Sequence, residues 1–397
     1  MITIGSFFHQ PIGILLAETV IEWTIGRTDG GQKQESLVKT SFLIFLAVIL
    51  ISSSAFAGWE VTYLHPAGSI ESNAWGVSGG EQVGYAKFGS SYHAGLWSGT
   101  AASWVDLKPA GSTSSWAYGV SGGQQVGYAD IGTREHAGLW SGTAASWVDL
   151  NPAGSFWSYA YGISGGQQVG STLDPLTDYY THASLWSGTA ASWVDLDPAG
   201  SDWGSEARGV SDGQQVGFAY FDGRRHAGLW SGTAASWVDL DPTGTGWSEA
   251  FGISGGQQVG YANLAGHSRA SLWSGTAASW VDLNPAEDTD SLAYGVSNGK
   301  QVGYAYIGGH AHAGLWSGTA ASWMDLHGFL SANYTYSVAR GIEVSGNDVW
   351  VAGYAMNMAV GREEAILWHN VIPEPSSLLA LSAGLLALGG IIRKKHG

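Results

Sequence analysis

Between Trp59 and Trp368 the apolar residues gather in short runs separated by Gly, Ser, Asn and Asp. That pattern predicts short strands joined by tight turns, and no helices. One stretch shows the plan: AYGVS at 117–121, QQVGYA at 124–129, HAGLW at 136–140 and WVDL at 147–150 read as four consecutive strands. Gly122-Gly123 joins the first two, and Ser-Gly-Thr-Ala-Ala-Ser joins the last two, both as hairpin-type connections.

The plan is copied along the chain. Trp-Ser-Gly-Thr-Ala-Ala-Ser-Trp starts at Trp97, Trp140, Trp186, Trp230, Trp273 and Trp316, and a degenerate seventh copy is Ala365-Ile366-Leu367-Trp368. A second motif of the type Ser-Gly-Gly-Gln-Gln-Val-Gly begins near 78, 121, 164, 211, 254 and 297, with a worn copy at 345–353. Four short antiparallel strands every 40–45 residues or so is the period of a propeller blade. The expected fold is therefore all-β, a seven-bladed β-propeller over residues 58–370. The ends favour a closed ring. Trp59–Leu64 (WEVTYL) occupies the WVDL place without a hairpin partner, and the last copy lacks its fourth strand. Pairing one with the other mends both defects. A β-solenoid, the alternative, would leave both edges bare.

Two apolar stretches flank this body. FLIFLAVILI at 42–51 follows Lys39 and precedes three serines and Ala55-Phe56-Ala57. A charged n-region, a short apolar core and an A-x-A site predict a signal peptide over 38–57, cut by signal peptidase before Gly58. The run is too short for a stable membrane span. Residues 1–37, with Pro11 and the acidic Glu18, Glu22, Asp29 and Glu35, do not fit an n-region. Translation is expected to start near Leu37 or Val38. At the other end Pro373-Glu374-Pro375 precedes a nearly all-apolar segment, 376–392, and then the basic Arg393-Lys394-Lys395. At about 1.5 Å per residue that segment is just long enough to cross a bilayer core as a helix. The basic end would stay cytoplasmic and leave the body outside.

Composition narrows the function classes. The chain has 60 Gly, 21 Trp and no Cys, so disulfides and thiolate metal sites are excluded. Large indoles supply the apolar surface that a disordered chain lacks. A net charge of −16 repels phosphate backbones, which argues against a nucleic-acid partner and for solubility outside the cell.

The recurring residues read as structure. The paired tryptophans are expected to pack between blades, with stacking on sugars as the alternative. His93, His136, His182, His226 and His312 stand four residues before the repeat Trp, with Arg269 and Glu364 at that place in two other copies. Related positions on a ring lie far apart, so an imidazole bonded to a neighbouring carbonyl is expected over a metal ligand. Asp106, Asp149, Asp195, Asp239, Asp282 and Asp325 recur in W-(V/M)-D-L and read as turn caps. Calcium at the blade edges is the alternative, although the D-x-D-x-D-G spacing is missing. No metal site or cofactor is assigned. No G-x-S-x-G, H-E-x-x-H or Walker loop is present, and residues that are copies of one another cannot make one singular catalytic pocket, so no catalytic residue is assigned. Recognition is expected where copies diverge. The third copy gains residues at 171–181, bringing together Asp174, Asp178, Tyr179 and Tyr180 as a candidate ligand loop, and Asp222-Gly223-Arg224-Arg225 is the other charged deviation.

Two resemblances bear on this. The unit resembles the HAF-type extracellular repeat: His136-Ala137-Gly138-Leu139-Trp140, Asp149-Leu150 and Gly119-Val120-Ser121 followed by Gln125-Val126-Gly127 match its pattern in order. Gly or Ser replaces its Phe, and Ser mostly replaces its Asn. The tail resembles the PEP-CTERM sorting signal, with Pro373, Glu374 and Pro375 as the recognition site of an exosortase-type membrane protease. Together they imply a Gram-negative, exopolysaccharide-producing bacterium and a protein held transiently at the inner membrane, then released to the cell surface or matrix. The expected function is that of a non-catalytic interaction scaffold in an exopolysaccharide-rich envelope, with polysaccharide as a partner. A polysaccharide-active enzyme, needing paired carboxylates about 5–10 Å apart in one cleft, and a structural or ice-contacting surface protein are the alternatives.

Overall fold

A computed structural model describes residues 58–173, 180–286 and 289–371. The sorting motif at 373–375, the basic residues 393–395, the signal-cleavage alanines Ala55 and Ala57, and Asp174, Asp178 and Tyr179 lie outside the described residues, as do the expected signal peptide and membrane segment. Among the described residues no helix is long and apolar enough to cross a membrane.

Residues 58–371 form seven four-stranded antiparallel sheets. Gly58 leads into strand β1 (Trp59–Tyr63), which stands apart from the first blade. That blade consists of β2 (Glu71–Ser78), β3 (Glu81–Phe88), β4 (Ser91–Trp97) and β5 (Val105–Asp106), hydrogen-bonded in that order. Five further blades repeat this meander. The seventh takes three strands from 334–371 and its fourth from β1. Strand β1 runs antiparallel to Arg362–Val371, with Trp59 opposite Asn370 and Tyr63 opposite Ile366. Leu64 N–H then donates to Ala365 O at 2.8 Å, the bond that Leu107 makes to Ala94 in the first blade. The ring is closed as the termini predict, and the solenoid is excluded.

All four strands of the second blade depart from the expected bounds, the middle two running on to Gln124–Ile131 and back to Arg134–Trp140. In the second blade the innermost strand is longer, Ser112–Ser121, and the fourth is only Val148–Asp149. The Ser-Gly-Thr-Ala-Ala-Ser connection holds a 3-10 turn at Ala144–Ser146, which consumes residues that a simple hairpin would leave for pairing.

The blades are joined by two devices that occur in every copy. The first is the buried indole. Trp97, Trp140, Trp186, Trp230, Trp273, Trp316 and Trp368 are fully buried, and each sits among apolar residues of the preceding blade. Trp140, for example, packs on Val83, Leu96 and Leu107. The second indole of each pair lies against the first, Trp97 to Trp104 at 4.7 Å, and its six-membered ring covers the residue before the repeat Leu. A Cβ on Gly95 would meet Trp104 at 1.8 Å. Where that residue is Ser, the indole N–H donates to it instead, as Trp193 does to Ser184 at 2.9 Å.

The second device is a buried serine. A backbone N–H in the third strand of each blade donates to a Ser Oγ on the innermost strand of the next: Ala94 to Ser115 at 2.9 Å, Ala137 to Ser158 at 2.9 Å, and around the ring until Ala365 meets Ser72 at 3.0 Å. Each such Ser is fully buried. Four of them donate in turn to the residue that follows W-V-D-L, namely Asn151, Asp197, Asp241 and Asn284.

Asp197 is the anomalous member. Burial holds its carboxyl above the ordinary 3.8, against the opposing hydrogen bonds from Ser205 and Ser201. A carboxylate with a raised folded-state pKa costs stability where it is ionised, and the cost fades as pH falls through that pKa toward the unfolded value. Asp197→Asn, which restores the residue of the second and fifth blades, is therefore expected to raise the urea midpoint at pH 7. Its advantage should vanish near pH 4. An unchanged midpoint at both pH values would refute this.

Candidate functional site

The recurring His and Asp come together, and with each other. His93 Nδ1 lies 2.6 Å from Asp106 Oδ2, and His136, His182, His226 and His312 meet Asp149, Asp195, Asp239 and Asp325 at 2.7–2.9 Å. In the fifth blade Arg269 stands in for His and reaches Asp282 at 3.0 Å. The partner of the imidazole is thus the repeat carboxylate, where a carbonyl was expected. The other carboxylate oxygen accepts from the backbone two residues on, as Asp106 does from Lys108 at 2.8 Å, which is the turn cap foreseen. Among the described residues no three His, Asp or Glu converge on a point that could hold a metal. These pairs lock the outer strands, copy by copy.

The singular site lies on the axis. Every innermost strand contains Ala-x-Gly, and in every blade the pairing slips at x by a β-bulge: between Ala74 and Gly76, Ala117 and Gly119, and so on to Ala339 and Gly341. A bulge re-aims the side chain of its extra residue. Here the seven extra residues are Trp75, Tyr118, Tyr161, Arg208, Phe251, Tyr294 and Arg340, and they line one cavity of about 380 Å³ at the mouth of the ring. Its volume falls within the ~300–1,000 Å³ of small-molecule pockets.

Two glycines per blade make this geometry possible. The bulge pushes a carbonyl toward the second strand, where a Cβ on Gly84 would lie 1.9 Å from Asn73 O, so only Gly fits. The glycine after x faces the next blade: a Cβ would lie 2.7–3.1 Å from that blade's carbonyl all the way round, from Gly76 against Tyr118 to Gly341 against Trp75. The inner strands can approach this closely because that position carries no side chain. The glycines and the adjoining Val or Ile form a collar around a second cavity of about 170 Å³.

Around the cup the side chains touch in sequence. Trp75 meets Tyr118 edge-on at 5.0 Å, Tyr118 meets Tyr161 at 5.8 Å, and the Arg208 guanidinium lies 4.3 Å from the Tyr161 ring. Phe251 meets Tyr294 at 5.2 Å, and Arg340 is held between Tyr294 at 3.9 Å and Trp75 at 4.2 Å. A second tier on the neighbouring strands adds Tyr85, Tyr128, Phe218, Tyr261, Tyr304 and Tyr354, with Ser171 at the equivalent place in the third blade. Burial pushes the Tyr118 phenol up to about 12 and those of Tyr161 and Tyr294 upward as well, so the cup presents neutral hydroxyls. The indole N–H of Trp75 and the Nε–H of Arg208 and Arg340 have no hydrogen-bond partner among the described residues.

Two carboxylates stand at the rim in adjacent blades. Glu206 contacts Arg208 at 2.6 Å, and Glu249 is engaged by Arg225 and by the Tyr261 hydroxyl at 2.8 Å. Both are thereby committed to ion pairs. Arg225, one of the charged deviations in the sequence, belongs to this rim network. The strands that flank the expected ligand loop, Gln167–Leu173 and Thr181–Trp186, pair up to Leu173 opposite Thr181 on the same face. Tyr180 is exposed. The opposite face carries the repeated Gly-Gly and Ser-Gly-Thr-Ala-Ala-Ser turns, tied together by a buried Gln: Gln82 donates to Gly80 O and accepts from Gly99 N–H.

The cup itself escaped the sequence reading. Its signal was present as the one variable residue inside an otherwise fixed Ala-x-Gly, but recognition was sought in inserted loops.

No protein-family model matches the chain, and no curated protein does. The solved structures it resembles include an acylaminoacyl peptidase in complex with Z-Gly-Gly-Phe-chloromethyl ketone, at 9% identity and TM-score 0.51 over 78% of this chain and 54% of that one. A puromycin-hydrolyzing peptidase of Mycobacterium tuberculosis matches at 11% identity and TM-score 0.50, over 76% and 54%. The β-propeller domain of the Trilobed protease from Pyrococcus furiosus matches at 8% identity and TM-score 0.49, over 77% and 97%. This is likeness of fold. The chain spans about half the length of the two peptidases.

Proposed function

We propose that the protein is an exported, non-catalytic recognition scaffold that binds polysaccharide in the axial cup. The observation carrying this reading is that one position per blade varies inside a fixed frame, and that bulges turn all seven of those residues into one cavity. Aromatic faces suit the apolar faces of sugar rings, while phenol, indole and guanidinium groups suit their hydroxyls. The signal peptide and PEP-CTERM-like tail support delivery to an exopolysaccharide-rich surface by signal peptidase and an exosortase-type protease. Neither Glu206 nor Glu249 lines the cup, and their engagement by Arg208 and Arg225 favours binding over hydrolysis.

The test is a glycan array probed with the full chain and with Tyr118→Ala. Saccharide binding that falls by about five- to 150-fold in the variant is expected, taking the stacking aromatic to be worth about 1–3 kcal/mol, as measured for rings stacked on aromatic side chains in nucleic-acid binding. Absence of binding, or release of reducing ends abolished by Glu206→Gln, would overturn the reading.

A further inference from the structure

The two arginines of the cup are not equivalent. Arg208 is neutralised by Glu206. Arg340 has no acidic partner within ion-pair distance among the described residues; it donates to the Tyr354 hydroxyl, at 3.3 Å, and to that of Tyr294, and its Nε–H bonds nothing there. It is the cup's guanidinium without a carboxylate partner, half-buried between two aromatic rings in a chain of net charge −16. Among the described residues no carboxylate offsets its desolvation.

Arg340 also stands where two cavities meet. The axial cup and a groove of about 400 Å³ between the sixth and seventh blades share two lining residues, Tyr294 and Arg340. The groove continues outward past Tyr304, Tyr336 and Tyr354 to Gly309 and His310, on the turn at the rim. A ligand filling both compartments is elongated, passes the guanidinium at its middle, and finds aromatic rings and phenol hydroxyls on either side.

Resting on the polysaccharide reading above, we infer that the ligand is an acidic oligosaccharide, one of whose carboxylate or sulfate groups is bound by Arg340 while its sugar rings occupy the cup and the groove. A planar guanidinium binds such an anion through paired N–H donors, and with Nε covered between the Trp75 and Tyr294 rings the two terminal nitrogens are the ones that supply them. One carboxylate-free guanidinium in the cup suits a ligand with spaced charges, and a polyphosphate would be repelled by the acidic surface of a chain of net charge −16.

The experiment is titration calorimetry of the full chain with three probes: oligogalacturonate, a neutral cello-oligosaccharide and an acidic glutamate peptide. Oligogalacturonate is expected to bind most tightly. Arg340→Gln should weaken it about tenfold or more, the loss of a charge-assisted contact, and change the neutral probe by less than about twofold. Wild-type affinity for the acidic sugar should also fall between 50 and 500 mM NaCl while the neutral one holds, a result that does not require the variant to fold. Equal binding of both sugars with no salt dependence would overturn the acidic ligand and leave the polysaccharide reading standing. Binding of neither sugar would overturn both readings, and preference for the peptide would replace them.

Discussion

Deletion of residues 58–64 is expected to cost more than about 4 kcal/mol of stability and to make the protein associate. Strand β1 supplies the whole fourth strand of the last blade, and Leu64 behind it is fully buried between the first and last blades. Truncating one buried leucine alone costs about 2–5 kcal/mol. Removing the strand also bares the edge of Arg362–Val371, a row of free N–H and C=O groups that invites pairing with another chain. Urea denaturation measures the first effect and light scattering the second. A truncated chain that is monomeric and melts like the parent would mean that closure contributes nothing to the fold.

Loss of a buried repeat indole should be comparably severe. Trp273→Ala is expected to lower stability by about 3–5 kcal/mol, because a fully buried ring is removed from the junction of two blades. Phenylalanine at the same place separates packing from hydrogen bonding. Among the described residues the Trp273 N–H has no partner, whereas that of Trp368 donates to Leu326 O at 3.1 Å. Trp273→Phe thus relieves an unpaired buried donor, while Trp368→Phe removes one of the two hydrogen bonds that Leu326 O accepts, leaving the one from Phe329 N–H at 3.3 Å, a difference of about 1 kcal/mol against the second variant. Equal denaturation midpoints for the two Phe variants would show that the indole N–H groups do not matter to stability.

The fates of particular residues explain how much could be foreseen. Trp97 and its counterparts were legible as core because they recur unchanged, and a ring of equal neighbours makes equal demands. The Asp of W-V-D-L was legible as a cap, since the turn after it is local. Its bond to His93 was not, because the two lie 13 positions apart and only strand pairing brings them side by side. The position held by Trp75, Arg208 and Arg340 was harder still: it sits in the middle of a strand that ought to alternate, and the bulge that turns it to the axis depends on a carbonyl meeting Gly84 and its equivalents across the sheet.

By itself the sequence determined the number of blades, their four-strand plan and the pairing of the two ends, because each follows from a repeat period and from edges that must be satisfied. Only the tertiary structure decided where recognition could occur. Seven side chains some 40 residues apart in the chain, roughly one per repeat, become neighbours when the ring closes, and no local pattern encodes that meeting. It arises from the summed rotation of seven blades about one axis, a property of their packing.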